Sequence, residues 1–367
     1  MSGEDAFGGS APFSLGVEEE CFLVDPVSGA QANASAEVLA RVRTTKGSVA
    51  AELHACQVEL ITEICSDAGE AVAMLDDLRR AVRATGAGMI GSGTHPAALE
   101  GEAEITDKTR YERIHDLLGD AVATPVAGLH VHVGMPDRET AIRAFNALRA
   151  YLPLLAALAA NSPFRHRRDT GLASARDMTI RSWPRSGVPP AMDDYEAFCA
   201  TTERLTRAAN VPDYTWFWWK LRPHPRLGTV EIRALDTQCV GEHTLGLVAL
   251  THCLARHAAE AAPAPALPPE ILEEAIFRAA RYGVDADLPD GEGNLRPVRQ
   301  LLSEALSIAA RYANELNCAE ALDGVPLLLE QGGGAGIQRR AHAIAGMDAL
   351  LRDLLRLNAT APADAQP

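Results

Sequence analysis

Apolar and polar positions alternate with a two-residue period in five short stretches: Phe13–Val24, Gln57–Ile64, Met89–Thr94, Leu129–Gly134 and Thr229–Leu235. Such alternation, bounded by turn residues, predicts strands with one face toward a core. Between and after them run Ala/Leu/Arg-rich stretches whose apolar positions recur at helical spacing. They are Ala68–Thr85, Glu139–Ala160, Tyr195–Ala208, Gly241–Ala261, Pro269–Tyr282, Arg296–Asn317 and Gln338–Leu357. Within Glu139–Ala160, Ile142, Phe145, Leu148, Leu152 and Leu155 make one apolar stripe. Strands fill the first two-thirds and helices the last third, so the expected class is α+β. Residues 1–12 and 358–367 are polar or glycine- and alanine-rich and predict disordered ends around one domain at 13–357. The Ala/Pro stretch 261–269 predicts a loop between two helices.

Alternation also sorts the chemistry. In the first strand Leu15, Val17, Cys21 and Leu23 share one face and Glu18 and Glu20 the other, with Glu19 on the apolar side. In the second, Gln57, Glu59, Ile61 and Glu63 alternate with Val58, Leu60, Thr62 and Ile64. His130 and His132 alternate with Leu129, Val131 and Val133, and Glu231 and Arg233 with Val230 and Ile232. If these strands are neighbours in one sheet, Glu18, Glu20, Glu59, His130 and Glu231 converge on one cup. Crowded carboxylates repel one another, and burying them unpaired costs several kcal/mol. A hard divalent cation removes that cost, and Mg²⁺ or Mn²⁺ suits oxygen donors and completes its shell with phosphate. The His-x-His pair also permits a zinc hydrolase, although zinc draws more nitrogen or sulfur than this set offers. For His132 the expected role is a hydrogen-bonded core histidine.

Composition narrows the partners. The 367 residues carry 34 Lys+Arg against 49 Asp+Glu, a formal net charge of −15. That balance repels phosphate backbones and anionic lipid, so neither nucleic acid nor a membrane is expected as the main partner. The N-terminal residues lack the basic and apolar regions of a secretory signal, and no apolar run reaches the roughly 18 residues that span a bilayer. The seven cysteines are scattered without a C-x-x-C pair, which fits reduced thiols in the cytoplasm.

Two segments gather cations against this acidic background. Asn161–Pro190 places Arg165, His166, Arg167, Arg168, Arg176, Arg181 and Arg185 in one Gly/Pro/Ser-rich loop. Long loops of this kind are usually binding elements, and arginine suits carboxylate and phosphate. Trp219–Arg233 brings Arg222, His224 and Arg226 beside Glu231 and Arg233, after the aromatic run Trp216–Trp219. That run is expected in the core, with one ring available as a ligand wall. Glu330–Gly336 is expected as a hinge or loop, since its glycines match no phosphate-binding signature.

Taken in order, GVEEE, QVEL, SGTHP (Ser92–Pro96), GLHVHVG, NSPF…DTG…R…WPRSGVPP and RPHPRLGTVEIRALDTQ resemble the type 2 glutamate–cysteine ligase family over roughly residues 13–357. The resemblance implies a glutamine synthetase-like fold: a curved antiparallel sheet with helices on its convex face and metals, ATP and substrate on the other. It implies ATP- and Mg²⁺-dependent joining of a carboxylate, typically the γ-carboxylate of glutamate, to an amine, typically cysteine. By position, Glu18, Glu20, Glu59, His130 and Glu231 match the metal ligands, and Glu52 is a weaker match. Arg233 matches the cation beside the transferred phosphoryl group, Glu231 and Arg233 being the catalytic pair. Arg222 and Arg176 match cations for phosphate or substrate carboxylate. A homodimer is the family-level expectation, and a non-catalytic relic and a metal-dependent amidohydrolase are the alternatives. Two places depart from the family pattern: Lys220 stands where an acidic residue is usual, and the loop reads Phe164-Arg165-His166 and Ala175-Arg176-Asp177.

Overall fold

The computed structural model describes residues 5–261 and 267–359. The disorder expected at 1–4 and 360–367, and the middle of the 261–269 loop, lie outside the described residues. The strands of the main sheet are β1 (Leu15–Val24), β2 (Ser48–Ala51), β3 (Gln57–Ile61), β4 (Gly88–Ile90) and β5 (Gly128–Gly134). A hairpin of β6 (Phe164–Arg165) and β7 (Arg168–Asp169) stands apart, and β8 (Leu221–His224) and β9 (Thr229–Asp236) complete the sheet. Its order is β2-β3-β1-β5-β9-β8, with β4 pairing the far end of β1 and every pairing antiparallel. Pro223 sits in β8, at the sheet's edge, where the missing N–H costs no ladder bond.

The two-residue period settles which face is covered. Leu15, Val17, Cys21 and Leu23 are buried, as are Val58, Leu60, Val131, Val133, Val230 and Ile232. Helices Ala68–Arg83, Arg138–Leu148, Leu152–Ala159 and Gly241–Glu260 pack behind the sheet. Asp67 starts the first of these by accepting from the Glu70 N–H at 2.8 Å. The stripe at Glu139–Ala160 is not one helix but two, bent by 64° between Leu148 and Leu152. Pro153 supplies the reason: it has no N–H for the Arg149 carbonyl, and its ring crowds that carbonyl. No single helix among the described residues is long and apolar enough to cross a membrane.

Three expectations are corrected. Residues 5–12 are not a disordered arm but lie docked on the sheet's end. Ala6 N–H bonds Pro225 O at 2.8 Å, Gly8 N–H bonds Met135 O at 2.9 Å, and Asp5 pairs with Arg138 at 2.9 Å. Gly228, at φ +68°, makes room for this, since a Cβ there would stand 2.2 Å from the Ala6 carbonyl oxygen. At the other end Asn358 belongs to the last helix and accepts from Arg83 at 2.9 Å. Asn161–Pro190 is not irregular: it holds the β6–β7 hairpin and helix Ala175–Ile180, capped by Ser174. Elements of two to six residues are too short to show a period. The glycines after Glu330 open a helix at Gly333, and Gly334 abuts Asn161 so closely that a Cβ would lie 2.2 Å from Oδ1.

Candidate active site

Register brings the expected acids together. Glu20 lies opposite Glu59 across β1 and β3, and Glu18 lies opposite His130 across β1 and β5. His132 lies opposite Glu231 across β5 and β9, and Arg222 opposite Glu231 across β8 and β9. Between β5 and β9 the register slips: Leu129 faces Leu235 while Val131 faces Ile232. β9 therefore carries one extra residue opposite His130, a bulge of the kind that re-aims side chains beside active sites. Arg233 sits on that bulge and lines the cavity in front of the sheet.

The cavity measures about 400 Å³, within the usual range for a small-molecule site. Glu20, Glu59 and His130 line it from the sheet, Glu52 from just after β2, and Arg110 and Tyr111 from helix Thr109–Leu118. Trp183 and Trp218 stand edge to face at 5.4 Å in its wall, while Trp216, Phe217 and Trp219 are buried. A larger groove of about 1050 Å³ beside helix Tyr195–Ala209 shares Arg226 with this cavity but holds neither of the acid clusters described next.

Two sets of ligand atoms lie within 4.8 Å of one another: Glu18, His130 and Glu231, and Glu20, Glu59 and His130. Together they hold all five residues expected as metal ligands. His130 joins the sets, its Nδ1 3.3 Å from Glu18 Oε2 and its Nε2 3.8 Å from Glu20 Oε1. His132 belongs to neither: its Nδ1 meets Thr229 Oγ1 at 3.0 Å, the hydrogen-bonded role expected of it.

The two sets differ in how their charge is met. Glu231 receives Arg222 Nε at 2.8 Å on one oxygen and Arg233 Nη1 at 2.5 Å on the other. Burial opposes its ionisation, but those two guanidiniums hold it well below the usual carboxylate range. Glu18 is held low in the same way, burial being outweighed by hydrogen bonds from His130 and His132. Glu20 goes the other way. Burial and the nearby Glu52 push it up to about 8, against the pull of Arg176 and Arg233. Glu59 is raised well above its ordinary value by burial, then by Glu18, Glu52 and Glu20. Burial and the Arg233 charge push His130 down to about 4, leaving it neutral and able to ligate. The Glu20 set thus needs positive charge that the surrounding side chains do not supply, and oxygen donors with one imidazole fit a divalent cation.

The remaining cations are placed unevenly. Arg222 is buried and also donates to the Tyr214 and Phe217 carbonyls at 3.4 and 3.2 Å, so it holds Glu231 in place. Arg176 lines the cavity, with Nη2 on the Arg233 carbonyl at 3.2 Å and Nη1 3.6 Å from Asp236. Arg181 is spent on Glu273 at 2.6 Å, and Arg165 on Thr179 at 2.9 Å, outside the cavity. Lys220 lines the cavity and is paired with Asp177, both side chains being buried. Sequence alternation missed Arg110 because its helix shows almost no apolar face, only Ile114 of Thr109–Leu118 being buried, and missed the Lys220–Asp177 pair because its partners are 43 residues apart.

The chain resembles known proteins over nearly its whole length. It is 40% identical over 351 residues to a Rubrobacter xylanophilus protein named for glutamate–cysteine ligase 2, covering 94% of this chain and 96% of that one. It is 35% identical over 360 residues to the glutamate–cysteine ligase of Haloferax volcanii, covering 93% and 96%. The fold is shared with the Francisella tularensis glutamate–cysteine ligase crystallised with AMP, at TM-score 0.69 and 13% identity over 96% of this chain and 91% of that chain. A bifunctional glutathione synthetase from Pasteurella multocida matches at TM-score 0.66 and 17% identity, over 95% of this chain and 52% of that chain. The model of glutamate–cysteine ligase family 2 matches residues 14–350, and the chain belongs to that family.

Proposed function

We propose that residues 13–357 form one ATP-dependent carboxylate–amine ligase that activates the γ-carboxylate of glutamate, or a related carboxylate, and joins it to an amine such as cysteine. The observation that carries this reading is the pair of ligand sets meeting at His130, one of which, Glu20, Glu59 and His130, lines the cavity together with Arg233. Glu20, Glu59 and His130 would hold one Mg²⁺, and Glu18 and Glu231 offer carboxylate oxygens for a second, the neutral His130 having one free ring nitrogen to give. Bound there, Mg²⁺ would neutralise the acids and the phosphate oxygens of ATP. Mn²⁺ suits the same donors.

The chain's own residues do the rest. Arg222 clamps Glu231, and Glu231 holds Arg233. Arg233 is thereby aimed to stabilise charge on the phosphoryl group during transfer. Arg176 adds positive potential for phosphate or carboxylate, and Trp183 and Trp218, set edge to face, offer an apolar aromatic wall. In the first step a carboxylate oxygen attacks the γ-phosphorus and the bond to ADP breaks. In the second, the amine lone pair attacks the acyl carbon and the C–O bond breaks, releasing phosphate and leaving the amide. A buried cavity suits this order, because water would otherwise hydrolyse the acyl phosphate. The partners are then small molecules, and the free thiols of all seven cysteines fit a cytoplasmic enzyme.

The test is ADP release with ATP and Mg²⁺ against a panel of amino acids and amines, with mass spectrometry of the product. Joint stimulation by a carboxylate and an amine, with a condensed product, is expected. Silence across the whole panel would end the ligase reading, and calorimetry showing ATP bound yet never hydrolysed would favour a binding relic. The amidohydrolase alternative gains nothing from the geometry, since His132 belongs to neither ligand set.

A further inference from the structure

β8, the residue before it and β9 place four charged residues on the cavity side of the sheet. Arg222 lies opposite Glu231, and one step along, the Arg233 N–H bonds the Lys220 carbonyl at 2.9 Å. Arg222 and Arg233 both spend their guanidiniums on Glu231. Lys220 does not. Its ammonium turns to Asp177 Oδ1 on helix Ala175–Ile180, and both side chains are about 4% exposed. The pair is incompletely satisfied. Asp177 Oδ2 is buried with no hydrogen-bond partner among the described residues. An ammonium has three hydrogens to donate, so beyond the Asp177 bond Lys220 has capacity for an incoming acceptor.

Resting on the ligase reading, we infer that Lys220 and Asp177 are the specificity-determining pair that reads the zwitterionic head of an α-amino-acid substrate. The α-carboxylate goes to the Lys220 ammonium and the α-ammonium to Asp177 Oδ2. Buried ion pairs are expensive to leave half-made, and a lone incoming charge would strand one partner. A zwitterion strands neither: it brings one charge of each sign and leaves the balance of the wall unchanged. A phosphate meets Lys220 equally well but brings like charge against the unpartnered oxygen of Asp177. Nucleotide is therefore the poorer occupant, and the metal sets and Arg233 remain for it. The complete head group is read on a donor amino acid, activated at its side chain; an acceptor presents the same α-carboxylate to Lys220, while its amine must be free to attack.

The experiment measures KM on the full chain with Mg²⁺ and ATP. For the donor, glutamate is compared with 4-aminobutyrate, which lacks the α-carboxylate, and with glutarate, which lacks the ammonium. For the acceptor, cysteine is compared with cysteamine. Wild type should favour the complete amino acid in one of these arms by about tenfold or more. Lys220→Met should erase the preference over the carboxylate-less compound in that arm and leave the KM for ATP within about twofold. Asp177→Asn keeps shape and the bond from Lys220. It should erase the preference for glutamate over glutarate if the donor is the one read, and it tests the pair where Lys220→Met does not fold. Lys220→Arg should restore discrimination. Preferences unchanged in both variants, or a uniform rise in every KM including that for ATP, would overturn the assignment while leaving a working ligase. An inactive wild type would instead fail the ligase reading itself.

Discussion

The two faces of β1 handle buried charge in opposite ways. On the back, Glu19 is fully buried among Leu15, Val17, Cys21 and Leu23. Arg79 grips it with Nη2 at 2.5 Å and Nε at 2.8 Å, and also pairs with Asp76 three residues earlier on its helix. There the protein carries the counter-charge itself, and the bidentate geometry makes the pair part of the core. On the front, one residue to either side, Glu18 and Glu20 share the opposite face, and Glu20 lines the cavity with Glu52 and Glu59. The front is solved by protein cations only at Glu231 and by histidines at Glu18, and Glu20 and Glu59 are left short. A charge completed within the fold serves the fold. One left incomplete at a cavity serves a ligand.

The largest expected effect is on the front. Glu20→Gln and Glu231→Gln each remove one ligand oxygen charge, and each should lower kcat/KM by about 10³-fold or more, near the loss for a principal electrostatic group. Folding should survive Glu20→Gln intact, whereas Glu231→Gln also leaves Arg222 and Arg233 without their carboxylate and should lower stability. Glu20→Gln should leave the melting temperature unchanged or raise it by about 1–3 °C, since it removes like-charge repulsion. Wild-type rates in either variant would take that residue out of the mechanism.

The back should show the reverse. Glu19→Gln leaves Arg79 buried with only Asp76, and losing one partner of a buried pair costs about 3–5 kcal/mol. Denaturant unfolding should report that loss, while kcat per folded molecule stays within about twofold because Glu19 faces away from the cavity. A Glu19→Gln protein of normal stability with lost activity would invert the comparison.

Acidity separates the faces further. In metal-free protein Glu20, held near 8, keeps a proton that the unfolded chain gives up near its ordinary 4.5. Between those values the folded state binds more protons, so stability is full below about 4.5 and falls as pH rises toward 8. Glu59, raised in the same direction, adds to the slope. Thermal melts in chelator should therefore decline from pH 5 to 8 by several degrees, and saturating Mg²⁺ should flatten the curve by binding the ionised acids. Glu20→Gln should flatten it without metal. A slope untouched by both would show that the front acids are not the titrating groups.

Much of this was legible from two-residue alternation, because strand parity is a local property. It assigned Glu18, Glu20, Glu59, His130 and Glu231 to one face, and the sheet order made that face common to all of them. Alternation also put Glu19 on the apolar side, yet nothing local named Arg79, which lies 60 residues away. The same limit hid the Lys220–Asp177 pair, whose partners are 43 residues apart. The docked N-terminal residues were illegible for a related reason. Their order comes from backbone bonds to Pro225 and Met135 and from the single ring of Phe7 against Tyr195, too little to show as a period. Arg222 could be placed beside Glu231, but only coordinates show that it holds that carboxylate instead of facing the cavity unoccupied.

The smallest effect is expected at Glu52, and it tests where the front ends. Glu52 follows β2, lines the cavity, and belongs to neither ligand set. Burial raises its carboxyl group, against a bond from the Leu53 N–H and the charge of Arg233. Its charge in turn raises both Glu20 and Glu59. Glu52 therefore acts on the ligands by repulsion, making them hungrier for a cation without touching it. Glu52→Gln should ease that repulsion, so metal-free protein should melt slightly higher. Half-saturation by Mg²⁺ should move to higher concentration by less than about tenfold, the scale of an indirect contribution to a metal site. At saturating Mg²⁺ most of kcat should return. A loss as deep as that of Glu20→Gln, not recovered by added Mg²⁺, would make Glu52 a ligand in its own right, and the front a single site with five acids instead of two sets joined at His130.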